Sequence, residues 1–293
     1  MSRTAWIVLV VVLLLFTLAC AVACLALGAV FVYRGATVTE VVPVPGRFVS
    51  RIQETVVSEV AIRTPATLEV RNPWGNVTIR AGEDTDRIEV VATKEARTVS
   101  LPQGERLLQQ VVVLVEGNGT RSSVWVTGLE DFRFGTVTVN LDITVPDETD
   151  VIVLNEAGNV HVEGTRGSIR VRSDAGNIRI RDVTVTEYVD VQNSAGNVDF
   201  EGRVLDPDPD PLPWEVALRT PAGNVRFAVP MATPFTVDAE TEVGSVISDF
   251  ELEDLQTGGT VGQWLKGGAN MTPISPNVIL RSAAGNIRIE PLP

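Results

Sequence analysis

Seven arginines recur at two fixed positions of a repeated sequence, and they are the strongest candidates for a ligand-binding site. Each stands either four residues before or three residues after a recurring glycine. These positions are out of phase with the neighbouring apolar ones, so the side chains are expected to face solvent. The arginines of this predicted stripe are Arg71, Arg172, Arg179, Arg219, Arg226, Arg281 and Arg288. A row of guanidinium groups would bind an anionic polymer, such as a cell-wall glycan, or a lipid headgroup. The alternative is an ordinary charged face paired with carboxylates such as Asp174 and Asp199.

The other polar clusters favour structural roles. Asp206, Asp208 and Asp210 alternate with proline, which splays their carboxylates along an extended segment, and the glycine of a calcium loop is missing. A stiff exposed loop is therefore expected there rather than a calcium site. His161 is expected to be a solvated strand residue. With 1 His and 2 Cys in the chain, we predict no catalytic, cofactor-binding or metal-binding residues and no enzymatic activity.

The charge balance argues against a nucleic-acid partner. The 293 residues contain 24 Lys and Arg against 37 Asp and Glu, which gives a formal net charge of −13. A surface of that sign repels phosphate. The high content of turn residues, with 24 Gly and 17 Pro, disfavours a bundle of long helices.

A repeated template organises the chain after residue 60. Seven glycines, each followed by Asn or in one copy by Ser, share the same surroundings: Gly75, Gly158, Gly176, Gly196, Gly223, Gly244 and Gly285. Residues seven and five positions before each glycine are apolar, the third before is small and polar, and the second after is Val or Ile. Such alternation on both sides of a Gly-Asn pair predicts two short strands joined by a bend. Asparagines stacked at equivalent positions are expected to hydrogen-bond between neighbouring copies.

The period of the template favours a β-solenoid. From Gly158 onward the copies follow one another at about 20 residues, with an insertion at 206–213. Two short strands in each period would let every coil stack on the preceding one, with equivalent positions in parallel register. A β-sandwich of hairpins is the alternative. Residues 76–157 lack the motif and predict further strands, with a hairpin at Gly117-Asn118-Gly119. No long amphipathic helix is expected after residue 34.

An apolar run near the N-terminus predicts one transmembrane helix. Residues 5–32 are almost wholly apolar, and no charged residue lies between Thr4 and Tyr33. A bilayer core requires about 20 such residues, so a membrane contact through residues 5–33 is expected. The alternatives are a buried core helix, a cleaved signal peptide and a lipoprotein signal ending at Cys20. The short tail before the run favours a signal-anchor with the following domain outside the cytoplasm.

The repeats resemble a known family. The segments 151–164 and 168–180 are similar to the bacterial β-repeat domain called the "putative adhesin" domain, and the resemblance extends over residues 60–293. That family has no agreed catalytic residues, so none can be carried over to this chain. Together with the apolar run, the resemblance indicates a membrane-anchored member of this β-repeat family.

These observations predict three segments and one main function. Residues 1–34 are a short tail and transmembrane helix, 35–60 a stalk, and 61–293 an all-β repeat domain. We expect a single-pass protein of the bacterial cell membrane whose domain is an extracytoplasmic binding or adhesion module for an envelope polymer or a protein. The alternatives are a structural or signalling accessory that pairs its exposed sheet edge with a partner's strand, and a glycan-active enzyme.

Overall fold

The fold of the described part of the chain is all-β, as predicted, and most of the described residues lie in strands. The computed structural model describes residues 30–34, 38–44, 47–83, 86–129, 132, 136–204, 215–260, 262–272 and 275–292, with side chains from residue 51 onward. Strands β1 to β9 are Val30–Arg34, Val38–Val44, Arg47–Ala61, Ala66–Trp74, Val77–Ala81, Arg87–Thr98, Val112–Asn118, Arg121–Thr127 and Val137–Val145. Strands β10 to β16 are Thr149–Ala157, Val160–Glu163, Arg166–Ala175, Ile178–Asn193, Val198–Val204, Glu215–Ala222 and Val225–Val229. Strands β17 to β22 are Phe235–Val243, Val246–Ser248, Glu253–Gly258, Gln263–Ala269, Asn277–Ala284 and Ile287–Pro291.

Parallel strands form two rows, one on each side of the Gly-Asn bends. The strands before the bends pair in the order β8, β4, β10, β12, β13, β15, β21, β17, here called the pre-bend row. The strands after the bends pair in the order β9, β5, β11, β13, β14, β16, β22, β18, here called the post-bend row. Equivalent template positions lie opposite one another, as with Val151 and Ile169. The 16-residue strand β13 belongs to both rows.

The core lies between the inward faces of these strands. Apolar residues alternate with polar ones along most strands of the two rows, so one face is buried and the other meets solvent. Leu68 and Val70 before the first bend, and Val77 and Ile79 after it, have no exposed surface. The same alternation in the other copies adds to one continuous cluster of buried apolar side chains. The predicted core positions of the template are therefore confirmed, except in the Gly244 copy, where Val246 is only partly buried.

The β-solenoid prediction is wrong. All 22 strands of the described residues belong to one sheet, which curves until it is nearly closed. Antiparallel pairing occurs at both ends of the rows, between β3, β6 and β9 at one end and between β17, β20 and β19 at the other. The copies also do not stack in chain order, because β21 lies between β15 and β17 and the Gly285 copy therefore precedes the Gly244 copy in space. A shared template gives every copy the same hydrogen-bonding edges, so it determines the register of a pair but not the order of the copies.

The predicted transmembrane helix is not part of the described structure. No helix among the described residues is long and apolar enough to cross a membrane. Most of the predicted span, residues 5–29, lies outside the described residues. Val30–Arg34 form β1, which pairs antiparallel with β3, so the prediction that a helix continues to residue 33 is wrong.

Two segments differ from their predicted structure: the stalk contains strands, and the β domain contains a helix. Strands β2 and β3 lie within the predicted stalk, and β3 pairs with β6 along its length. The domain boundaries stay predictions. The described residues also include one helix, α1, at Leu101–Gln110, which packs Leu108 into the core and brings Gly104 against Ile52. A proline in the first turn of α1 and apolar residues at 101, 107 and 108 were the available signals.

Glu95 is a nearly buried carboxylate that ties β3 to β6. Its exposed fraction is 4%, and it accepts hydrogen bonds from Arg51 at 2.7 Å, Arg97 at 2.8 Å and Gln53 at 3.3 Å. Burial acts to raise the pKa of Glu95, but the hydrogen bonds from Arg51 and Arg97 outweigh it and lower the pKa below the ordinary value of 4.5. The folded protein therefore binds the Glu95 proton less readily than the unfolded chain does.

We predict that Glu95 contributes stability that is lost in acid. A carboxyl whose pKa is lowered by folding stabilises the native state above its unfolded pKa, and the contribution disappears as pH falls through the folded value. Glu95→Gln is expected to lower the free energy of unfolding at pH 7 by about 1–3 kcal/mol, and the difference from the wild type should shrink below pH 4.5. Urea titrations at several pH values measure this. The control is Glu105→Gln, exposed on α1; a deficit of Glu95→Gln that does not change with pH contradicts the prediction.

Candidate functional site

The Gly-Asn series is a hydrogen-bonded ladder along the bends. The side-chain oxygen of each asparagine accepts the backbone N–H of the equivalent residue in the next copy, at 2.8–3.0 Å. In spatial order the ladder runs through Asn140, Asn76, Asn159, Asn177, Asn197, Asn224, Asn286 and Ser245. The predicted bonding between neighbouring copies is confirmed. The ladder ends at Ser245 because the strand of that copy, β18, is the last of the post-bend row.

The seven predicted arginines lie in two columns rather than in one stripe. Arg71, Arg172, Arg219 and Arg281 are on the pre-bend row, whereas Arg179, Arg226 and Arg288 are on the post-bend row. Only two pairs are direct neighbours across strands, Arg219 with Arg281 and Arg226 with Arg288. The Gly-Asn bends separate the columns, so a single ligand track through all seven does not exist on either row.

Carboxylates neutralise the post-bend column. Arg226 contacts Asp199 at 2.8 Å and Glu290 at 2.7 Å. Burial acts to lower the pKa of Arg226, but its hydrogen bonds to these two carboxylates raise the pKa overall. Arg179 lies 3.6 Å from Asp199, and Arg288 contacts Glu290 and, at 2.8 Å, Asp249. This column therefore matches the alternative interpretation, an ordinary charged face whose arginines are paired with carboxylates.

The pre-bend column is mostly paired as well, with one exception. Arg71 contacts Glu69 at 2.7 Å, Arg219 contacts Asp190 at 3.0 Å, and Arg281 contacts Asp238 at 2.9 Å. Arg172 is exposed and forms no ion pair with any residue that the structure describes. Six of the seven arginines therefore have carboxylate partners, and binding of a polyanion by the set stays a prediction.

The remaining predicted residues fall in three places. His161 of β11 lies opposite Arg179 of β13. Its Nε2 is 3.3 Å from Glu163, and the side chain has the outward position that was expected. Asp206, Asp208 and Asp210 lie outside the described residues, as do Cys20 and Cys24. Within the described part of the chain, no group of three or more His, Cys, Asp or Glu side chains is placed to hold a metal ion.

A groove that the sequence did not predict opens on the solvent face of the pre-bend row. This Trp125 groove has a volume of about 750 Å³. Its walls include Glu69, Glu116, Asn118, Arg121, Ser123 and Trp125. The strands that position these residues are β4 and the hairpin β7–β8, whose tip carries Asn118. The signal was the alternation along β8, because Val124 and Val126 are buried and Trp125 between them must face outward.

A second groove adjoins the first. This Arg172 groove has a volume of about 390 Å³, and its walls include Arg71, Pro73, Leu154, Arg172 and Asp174. Leu114, Trp125, Arg71, Leu154 and Arg172 lie in register on five successive strands. Since neighbouring strands are about 4.8 Å apart, Trp125 and Arg172 are separated by roughly 14 Å. Arg71 stands between the two grooves, with its guanidinium 5.0 Å from the centre of the Trp125 ring.

The comparisons with known proteins found structural likeness only. No protein-family model and no curated protein matches the sequence. A solved putative cell adhesion protein from Clostridium sporogenes is similar at a TM-score of 0.43 and 11% identity, over 80% of this chain and 99% of that one. A putative adhesin from Bacteroides fragilis is similar at 0.37 and 12%, over 81% and 97%. A putative lipid binding protein from Parabacteroides distasonis is similar at 0.20 and 9%, over 80% and 96%. Likeness at these TM-scores assigns neither a family nor a function to this chain.

Proposed function

We propose that this chain is a non-catalytic binding module of the cell surface that meets its ligand on the solvent face of the pre-bend row. One observation carries the proposal: the Trp125 groove and the Arg172 groove both open on that face, and Arg71 in the wall of the second contacts the ring of Trp125 in the wall of the first. Across this face lie the ring of Trp125, the aliphatic side chain of Leu154 and the guanidinium of Arg172. Arg172 forms no ion pair with the described residues. Such convergence of apolar and polar groups in a concave surface is typical of ligand sites.

The scaffold under this face supports the proposal because it is rigid. Equivalent residues pair in register from β8 to β17, and the asparagine ladder joins the copies at the bends. Side chains on such a sheet lose little freedom when a ligand binds. A preorganised surface therefore needs fewer contacts to reach a given affinity.

Three carboxylates outside the two grooves hold basic side chains in place. The pKa values of Glu95, Asp238 and Glu290 are all lowered by arginine or lysine partners, against the opposing effect of burial. A general acid requires the opposite shift, which keeps its proton near neutral pH. These carboxylates are held ionised, as expected for groups that position arginines.

We propose in addition that the module is displayed outside the cytoplasm, tethered by the apolar segment at residues 5–29. The length of this segment and its lack of charge support a membrane tether. Protease treatment of intact and lysed cells that produce the full chain tests the location. Digestion in intact cells is expected; protection until lysis would overturn the surface location.

The binding function is tested with the full-length protein in detergent and a suspension of purified cell-wall fragments. Retention of wall material on the immobilised protein is expected, and Arg172→Ala should reduce it several-fold. Arg106→Ala, exposed on α1 away from both grooves, is the matched control and should change nothing. Because most arginines are already paired, added salt should weaken retention only modestly. Equal retention by Arg172→Ala and by Trp125→Ala, each compared with the wild type, would exclude the pre-bend face as the ligand surface.

A further inference from the structure

We infer that the Trp125 groove is a saccharide-binding site. The inference rests on the proposed function and names the class of ligand for one of its two grooves. The groove volume of about 750 Å³ lies within the range of small-ligand sites, roughly 300–1,000 Å³. It therefore has room for a short stretch of a glycan chain, with the Arg172 groove as the continuation of its path.

The ring of Trp125 is held in place before any ligand arrives. It stands on β8 between Leu114 of β7 and Arg71 of β4. The Arg71 guanidinium lies over the ring, and its Nε donates to Glu69 at 2.8 Å. Arg71 covers one face of this half-buried ring, so the slightly positive C–H groups of a sugar ring would meet the negative potential of its opposite face. An immobilised ring offers that contact at a small cost in side-chain entropy.

The polar wall of the groove suits a ligand covered with hydroxyl groups. Ser123 lies between Glu116 and Glu69 across three neighbouring strands, and Arg121 and Asn118 complete the wall. Carboxylates accept hydrogen bonds, a guanidinium donates them, and an amide does both, so neighbouring sugar hydroxyls can be satisfied in either direction. Among the described residues, neither Glu116 nor Arg121 forms an ion pair, and both are exposed. Their hydrogen-bonding groups are therefore available to a ligand.

The same wall disfavours other ligand classes. Glu69 and Glu116 flank the groove that Arg121 enters, so a polyphosphate would meet carboxylates of its own sign. An acyl chain would bury carboxylate, guanidinium and amide groups without hydrogen bonds, which is costly. A peptide would instead use the backbone edge of β7, and this is the competing outcome of the test.

The test measures ligand binding at individual tryptophans by ¹⁹F NMR of the full chain in detergent, labelled with fluorotryptophan. Single tryptophan-to-phenylalanine variants assign the five signals. The probes are chitotetraose, cellotetraose, mannotetraose, tetragalacturonate and an eight-residue threonine–valine peptide. At least one saccharide is expected to shift the Trp125 signal saturably and to leave the Trp264 signal in place. Trp264 is half-buried on β20, eight strand spacings from β8, or roughly 38 Å along the sheet.

Two variants make the result specific to the groove. Trp125→Ala should weaken the binding saccharide at least about tenfold, whereas Trp264→Ala should change it less than about twofold. Arg121→Gln removes only a polar contact of an exposed side chain and should also weaken binding, with Arg106→Gln as its control; this variant keeps the test valid if Trp125→Ala does not fold. Unchanged affinity in both groove variants would overturn the inference. A Trp125 signal that no saccharide shifts, or that only the peptide shifts, would overturn it too. The proposed function would survive either result if the retention of wall fragments still depended on Arg172.

Discussion

Replacing Gly176 with alanine is expected to cost more than about 4 kcal/mol of folding free energy or to prevent folding. The residue has φ +131°, and a Cβ placed on it would lie 2.1 Å from the carbonyl oxygen and 2.6 Å from the carbonyl carbon of Gly158 in the neighbouring copy. The obstacle is backbone, which cannot turn aside as a flexible side chain could. Relief would require the two copies to separate, and this would break the asparagine ladder between Asn159 and Asn177.

Gly119 provides the matched control for this prediction. It also has a positive φ, +64°, but no heavy atom lies within 4 Å of the position its Cβ would occupy. Gly119→Ala therefore carries backbone strain alone, about 1 kcal/mol. Chemical denaturation followed by circular dichroism compares the two variants. If both lose the same stability, the close approach of the bends is not what constrains these glycines.

Phe227→Ala is expected to lower the free energy of unfolding by about 3–5 kcal/mol. Phe227 has no exposed surface. Its ring stacks on Phe200 with centroids 5.5 Å apart and meets the edge of Phe235 at 5.7 Å. Phe235 in turn meets Phe250 at 5.1 Å. Because Phe227 lies on the post-bend row and Phe235 on the pre-bend row, truncating the middle ring leaves a cavity between the rows.

Phe227→Leu is the control for that cavity. Leucine keeps much of the buried volume, so the loss should stay below about 1.5 kcal/mol. Both variants are measured by urea denaturation at pH 7, where the ionised Glu95 contributes equally to each. Equal losses for alanine and leucine would show that the aromatic contacts, rather than the filled volume, stabilise this part of the core.

The candidate site shows what the periodicity of side chains along a strand can predict and what it cannot. Alternation along a strand correctly places Arg172 and Trp125 toward solvent. It does not show that Trp125 lies beside Arg71, because β4 and β8 are brought together by pairing across about fifty residues of intervening chain. It also does not show that Arg226 meets Glu290, 64 residues away in sequence. The predicted stripe was therefore divided and largely neutralised by contacts that no local pattern contains.

The sequence by itself determined the local chemistry of this protein: the strands, the bends at the Gly-Asn pairs, the buried positions and the hydrogen bonds of Asn177 and its equivalents. These follow from alternation and from the conformational freedom of residues at a bend, both of which act over a few neighbours. Only the tertiary structure decided the order of the copies, the antiparallel ends, the curvature of the single sheet and the juxtaposition of Trp125 with Arg71. The physical reason is that copies with the same template present the same edges to one another. Which edge pairs with which is then settled by connections and packing over the whole chain.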